Sequence, residues 1–227
     1  MIRRMDDRPI SDPELLAYAE RHSTPQPDYL AQVAAHTREF SVASGQLVTP
    51  VVGRFLAMLV HLTGARRVLE IGTYTGYSAL CVAEALPEGG SVVTCEVDPD
   101  HARMAREHIA GTPYKDQIEI RLGRALKTVA ALDGPFDFAY IDAERTGYRQ
   151  YLDAVLPRLA PGGFIVANNV LWKGHVLDPD RADADTRAIA EFNEAVARDP
   201  RLECVMLTVG EGLTIIRPRT SRTSAGA

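Results

Sequence analysis

No apolar run in this chain approaches the ~20 residues that a bilayer-spanning helix needs. Its first eight residues, Met1-Ile2-Arg3-Arg4-Met5-Asp6-Asp7-Arg8, carry no apolar core of the kind a secretory leader has, so no signal peptide is expected. Cysteine is scarce. Cys81, Cys95 and Cys204 are odd in number and lie in apolar segments, which excludes a disulfide framework and a cysteine metal cluster. They are expected to be reduced core thiols of a cytoplasmic protein. Basic excess is also missing: 25 Lys and Arg face 30 Asp and Glu, a net charge of −5, which argues against a general nucleic-acid binder. There are no internal repeats and no low-complexity segment except the tail, residues 220–227, expected to be disordered.

What is present is alternation of strand and helix after a helical beginning. The 227 residues suffice for one domain with a large core. Residues 11–62 read as helical, with Ser11 or Asp12 capping the first helix and Pro13 in its first turn. Pro25 and Pro27 break it, a second helix runs over 28–38, and an apolar helix over 51–60 is stopped by Gly64. Strands follow at 68–71, 91–96, 118–122, 136–141 and 164–167. Between them lie helices at 78–86, 98–110, 125–131 and 148–159, the last ended by Pro161-Gly162-Gly163. A helix over 183–198, with Ala188, Phe192, Ala195 and Val196 on one face, precedes a hairpin of 202–209 and 213–216. Such a pattern implies an α/β fold, a mostly parallel sheet covered on both faces, ending in an antiparallel hairpin.

The chain is organised around Val68-Leu69-Glu70-Ile71-Gly72-Thr73-Tyr74-Thr75-Gly76-Tyr77-Ser78, a strand, a glycine turn and a helix start. Glycine lets backbone approach a ligand closely. The spacing Gly72-x-x-x-Gly76 lacks the third glycine of the dinucleotide fingerprint. Glu70 at the strand end suits a cationic or amino-bearing ligand better than a pyrophosphate. Glu70-x-Gly72-x-x-x-Gly76 therefore resembles motif I of the S-adenosylmethionine (SAM) methyltransferases.

Other strand ends supply polar groups to the same crevice. Glu96 closes the second strand, about 20 residues beyond the turn, where an acid binds ribose hydroxyls in dinucleotide folds. Gly123-Arg124-Ala125 follows the third strand. Asp142 follows the fourth, and Asn168 and Asn169 the fifth. Together these three make an oxygen trio of the kind Mg²⁺ prefers.

Over residues 47–217 the chain resembles the small metal-dependent O-methyltransferases of the caffeoyl-CoA and catechol type. The resemblance rests on the block at 70–78, on Ile141-Asp142-Ala143, on Asn169-Val170-Leu171-Trp172, and on Gly210-Glu211-Gly212-Leu213-Thr214. It implies a Rossmann-like, seven-stranded SAM-methyltransferase fold over 47–219. It also implies an N-terminal helical segment, 1–46, serving as substrate lid or dimer contact. The activity implied is transfer of the SAM methyl group to a hydroxyl of a small acceptor, assisted by Mg²⁺ or a similar cation, in a homodimer. Glu70, Gly72, Thr73, Tyr74, Gly76, Ser78, Glu96, Ala125 and Asp142 would bind SAM, with Val48 from the N-terminal side. Asp142, Asn168 and Asn169 would bind metal, and Trp172 and Tyr148 would meet the acceptor.

Two positions depart from the family pattern. Asn168 stands where an Asp is usual, so the trio carries one negative charge. Arg145 stands where a Lys is usual and cannot act as a base, because it stays protonated. Asp142, Arg145 and Lys173 are the candidate catalytic side chains, with His175 beside Lys173 as another possible proton acceptor. These departures keep open a metal-independent methyltransferase acting on another acceptor, such as a carrier-bound hydroxy acid or a modified tRNA base. A nicotinamide oxidoreductase is disfavoured by Glu70 and the missing glycine.

Overall fold

The structure is a computed structural model and describes residues 12–40, 47–178 and 183–219. Helices α1 (Pro13–Arg21), α2 (Asp28–Phe40) and α3 (Pro50–Thr63) precede the sheet. Asp12 caps α1, its side chain accepting from Glu14 N–H; Ser11 lies outside the described residues. Thr49 caps α3 by accepting from Val52 N–H, and Gly64 ends it in the left-handed conformation at φ 65°.

Strand β1 (Arg67–Ile71) then starts a repeating unit: α4 (Tyr77–Ala85), β2 (Ser91–Glu96), α5 (Pro99–Ala110), β3 (Ile118–Leu122), α6 (Ala125–Ala130), β4 (Phe136–Ile141), α7 (Tyr148–Val155) and β5 (Leu159–Asn168). Helix α8 (Ala184–Arg198) and the strands β6 (Leu202–Leu207) and β7 (Leu213–Pro218) complete the chain. Strand order is β3-β2-β1-β4-β5-β7-β6, with β7 alone antiparallel to its neighbours.

Alternate residues of each central strand enter opposite cores, as a period of two requires. Val68, Val92, Phe138 and Tyr140 join α2–α5 on one face, with Leu30, Val33 and Ala34 of α2 in that same core. Leu69, Ile71, Ala139 and Ile141 join α6–α8 on the other. Phe138 and Phe164 stack across β4 and β5 with ring centroids 4.8 Å apart, a contact worth about 0.5–1.5 kcal/mol beyond its buried area.

Several sequence expectations are corrected here. Helix α7 ends at Val155, not 159, because Pro157 turns the chain into a short 3-10 segment. Strand β5 then begins at Leu159 but bulges at Pro161-Gly162-Gly163: β4 passes from Phe136 to Phe138 while β5 passes from Leu159 to Phe164, and Gly162 turns at φ 83°. The glycines fit because a Cβ at Gly163 would meet the carbonyl oxygens of Ala160 and Phe136 at 2.9 Å. The buried face of α8 is Thr186, Ile189, Phe192 and Val196, with Ala188 and Ala195 only half-buried. Cys81 and Cys95 are buried, but Cys204 is exposed, since β6 is an edge strand open on both faces. The tail, 220–227, lies outside the described residues. Among the described residues no helix is long and apolar enough to cross a membrane.

Candidate active site

The strand order reverses between β1 and β4, since β1 leads outward to β2 and β3 and the chain then returns to pair β4. A crevice opens outside the carboxyl ends at such a reversal. It holds a cavity of about 560 Å³ whose wall takes residues from all five parallel strand ends. Ladder-like bonds hold these ends together beyond the strands. Gly72 N–H donates to Cys95 O at 3.0 Å, Asp142 N–H to Ile71 O at 2.8 Å, and Gly123 N–H to Glu96 O at 2.7 Å.

Gly72 permits this closeness. At φ 101°, a Cβ there would lie 1.9 Å from the Asp142 carbonyl oxygen. Gly76 serves packing rather than the ligand: it caps α4 at φ 88°, and a Cβ would crowd Ala105 and Ile109 of α5. Tyr74 closes the turn at φ 48°. The other non-glycine residues with positive φ among those described are Asn169, Trp172 and Lys173, all just beyond β5. Backbone held in this region stores strain and clusters at functional sites.

Glu96 is buried and organises the turn. Its Oε2 accepts from Tyr74 N–H at 2.7 Å, and its Oε1 accepts from Val97 N–H at 2.8 Å and Asp98 N–H at 2.9 Å. A carboxylate offers about four lone pairs, so capacity remains for a ligand diol. Asp98 in turn caps α5, accepting from Asp100 and His101 N–H.

Glu70 is not on the cavity wall but sealed beneath it, 1% exposed. Its Oε2 accepts from Thr94 Oγ1 at 2.5 Å, and Thr94 also meets Thr73 Oγ1 at 2.6 Å. Its Oε1 has no partner. Burial pushes the Glu70 carboxyl up to about 8, against the opposing hydroxyls of Thr94 and Ser78.

Asp142 lies on the wall, its oxygens filled by three donors. Oδ2 accepts from Asn168 Nδ2 at 2.9 Å and Tyr140 Oη at 3.2 Å, and Oδ1 accepts from Asn169 Nδ2 at 2.9 Å. Burial raises its pKa, while Asn168 and the nearby charge of Arg145 oppose the rise.

The sequence model of the O-methyltransferase family matches residues 20–219. The chain belongs to that family. Its relatives include a mouse catechol O-methyltransferase domain-containing protein, 37% identical over 167 residues that span 71% of this chain and 64% of that protein. A caffeoyl-CoA O-methyltransferase of Zea mays is 37% identical over 179 residues, 73% of this chain and 67% of that protein. The chain thus spans about two thirds of the length of these relatives. An O-methyltransferase of Bacillus cereus, solved in complex with SAH, superposes with a TM-score of 0.83 at 32% identity, covering 91% of this chain and 97% of that one. The family is that of SAM-dependent O-methyltransferases of the caffeoyl-CoA and catechol type.

In this methyltransferase, the residues expected from sequence divide by depth. Val48, Gly72, Thr73, Tyr74, Ser78, Glu96, Ala125, Asp142, Arg145 and Asn169 line the cavity. Asn168 lies buried outside its lining, as Glu70 does. Tyr148 does not line the cavity: it is fully buried, packs edge-on against Phe192, and donates to Asn168 O at 2.9 Å. It holds the end of β5 in place. Trp172 stands outside the cavity lining and covers Arg145, whose guanidinium carbon is 4.1 Å from its ring centroid. Lys173 is exposed on a 3-10 turn (Trp172–Leu177), its N–H donating to Glu211 Oε2, and His175 is buried. Neither lines the cavity. Sequence reasoning missed Leu47, Thr75, Tyr77, His101, Gln150 and Tyr151 on the wall. Thr75 and Tyr77 lie inside the block at 70–78 without an assigned role, and His101 has a signal as a first-turn residue of a helix capped directly after a parallel strand.

As a cation site, the trio offers one carboxylate and two amides. Both amides turn their NH₂ groups toward Asp142. Exchanging N and O of each amide would converge three oxygens, and amide oxygens are acceptable ligands for a hard cation. The residues therefore fit such an ion with one formal negative charge. Among the described residues no group of three or more His, Cys, Asp and Glu is placed to hold a metal.

Proposed function

We propose that this protein binds SAM in the strand-end cavity and transfers its methyl group to a hydroxyl of a small, catechol-like acceptor. The observation that carries the reading is the convergence of five strand ends on one cavity whose wall includes Ser78, Glu96 and Asp142; in this reading Glu96 takes the ribose hydroxyls and Ser78 and Asp142 the amino-acid part of the donor. Relatives named for catechol and caffeoyl-CoA substrates support the acceptor class.

The donor's methyl carbon sits on a sulfonium, already a good leaving group. The chain's part is to hold acceptor oxygen and methyl in line at near-contact distance, which removes much of the entropic barrier. The turn at Gly72–Gly76 and the Glu96 carboxylate fix the donor, and Leu47 and Val48 close the cavity from the N-terminal side. A divalent cation held by Asp142, Asn168 and Asn169 would lower the pKa of a coordinated hydroxyl. Arg145 itself cannot take the acceptor proton, because it stays protonated.

A second reading, metal-independent transfer, is favoured by one observation: with Asn at 168 and 169 the trio offers a single carboxylate. The test is incubation with SAM and a catechol panel, with and without EDTA, scoring methylated product and SAH by mass. Product that disappears with EDTA supports metal assistance, and product unchanged by EDTA selects the second reading. No product from any catechol in either condition removes the proposed acceptor class.

We also propose a cytoplasmic protein, as its cysteine content suggests, and a homodimer, as the family resemblance implies. Met58 and Leu62 on α3 are 52% and 76% exposed and give a partner copy an apolar face. Light scattering tests the assembly.

A further inference from the structure

Arg145 is held on the cavity wall beside Asp142 and Asn169 by its stack on Trp172, a contact that fixes the guanidinium without neutralising it. Among the described residues its side chain has no ion pair and no hydrogen bond, and its Nε is sealed away without an acceptor. Asp142 feels its charge but does not pair with it, because Tyr140, Asn168 and Asn169 already occupy the carboxylate oxygens. The two asparagine amides are neutral, and Asp142 and Arg145 together carry no net formal charge. Glu144 and Glu96 also line the cavity, opposed there by Arg124, so an anion bound here depends on direct contact with the Arg145 guanidinium. A guanidinium stays charged at all working pH values and presents a fork of donors that matches an oxyanion.

We propose that Arg145 selects an acceptor whose reacting oxygen is already ionised, a phenolate or an oxygen acid of similar acidity. This rests on the methyl-transfer reading of the site and adds the charge state of the acceptor. In the transfer step an oxygen lone pair forms the O–CH₃ bond, and the S–CH₃ pair returns to sulfur. The acceptor's negative charge and the sulfonium's positive charge cancel, and no proton moves. The acceptor proton has gone to solvent on binding, so a lysine-type base is not needed. The same guanidinium could instead serve the carboxylate of the donor, and the experiment separates the two anions.

The experiment uses the full chain saturated with SAH, in EDTA, with 4-nitrocatechol, whose ionised form is coloured. Wild type should bind the dye as its anion and lower the dye's pKa by about 1 or more, the effect of a cation at close range. Arg145→Met should abolish that shift and weaken dye binding about tenfold or more, the equivalent of one charge-assisted hydrogen bond. Arg145→Lys, which keeps the charge, should retain the shift. Thermal melts confirm that each variant is folded. Failure of the wild-type SAH complex to bind the dye, or identical dye titrations in wild type and Arg145→Met, would overturn the proposal. So would an Arg145→Met variant that loses affinity for SAH but not for 5′-methylthioadenosine, which lacks the amino-acid carboxylate. Wild type that binds no SAH at all overturns the methyltransferase reading as well, and is thereby distinguishable.

Discussion

Thr94 donates a 2.5 Å hydrogen bond to one oxygen of Glu70 beneath the floor of the cavity, while the other oxygen of that carboxyl has no partner. This arrangement leaves Glu70 largely protonated at neutral pH until a cation arrives above it. Its folded pKa is raised, from 4.5 to about 8, so the folded state holds more protons than the unfolded one between those values. Stability of the ligand-free protein should therefore fall as pH rises across that window, by at most about 1.4 kcal/mol per unit from this group, and level off above it. A cationic ligand favours the ionised form, so SAM binding should release a proton at pH 7 and tighten toward pH 8. Calorimetry in buffers of different ionisation enthalpy measures the release. In Glu70→Gln the proton release should vanish and the affinity should weaken.

Glu96 ties the glycine turn to the start of α5 through three backbone N–H groups. Glu96→Ala leaves all three without their acceptor and removes the diol contact. SAH affinity should drop about 10–100-fold, from the loss of hydrogen bonds to a charged group worth about 1.5–3 kcal/mol. Glu96→Gln, which keeps one acceptor oxygen, should fall between. Equal affinity in all three proteins would remove Glu96 from the site.

Gly72→Ala tests the closeness of β1 and β4. Its Cβ would collide with the Asp142 carbonyl oxygen, on a backbone that L-residues rarely adopt. Overpacking of this kind costs about 1–3 kcal/mol, and the positive φ adds to it. Urea unfolding should show that loss, with SAH binding weakened. By contrast, Gly64→Ala meets no atom within 4 Å and should bear only the φ strain.

Asn168→Asp tests the oxygen trio. Asn168 now donates to Asp142, and a carboxylate there would face a carboxylate instead. Without metal the variant should melt lower than wild type. With Mg²⁺ it should bind the ion more tightly and regain stability. Unchanged Mg²⁺ affinity would count against these residues as ligands.

Much of this site is legible in the sequence because strand ends announce themselves. Glu96 and Asp142 each follow an apolar strand directly, and parallel strands bring such ends together. Depth is not legible in the same way. Glu70, Asn168 and Tyr148 sit in the same sequence neighbourhoods as wall residues, yet the strands bury the first two, and Tyr148 falls on the buried face of α7 with Leu152 and Val155. Pro161-Gly162-Gly163 reads as a stop, but β5 carries it as a bulge between its pairings with Phe136 and Phe138. Gln150 and Tyr151 reach the wall from a helix whose packing angle no local pattern encodes.

The most direct test of the account is a calorimetric titration of the purified protein with SAH, run in parallel with NAD. Saturable one-to-one binding of SAH, no binding of NAD, and loss of the SAH signal in Glu96→Ala are the predicted results. A protein that ignores SAH, or that takes NAD in its place, would contradict the assignment of the strand-end cavity to a sulfonium methyl donor.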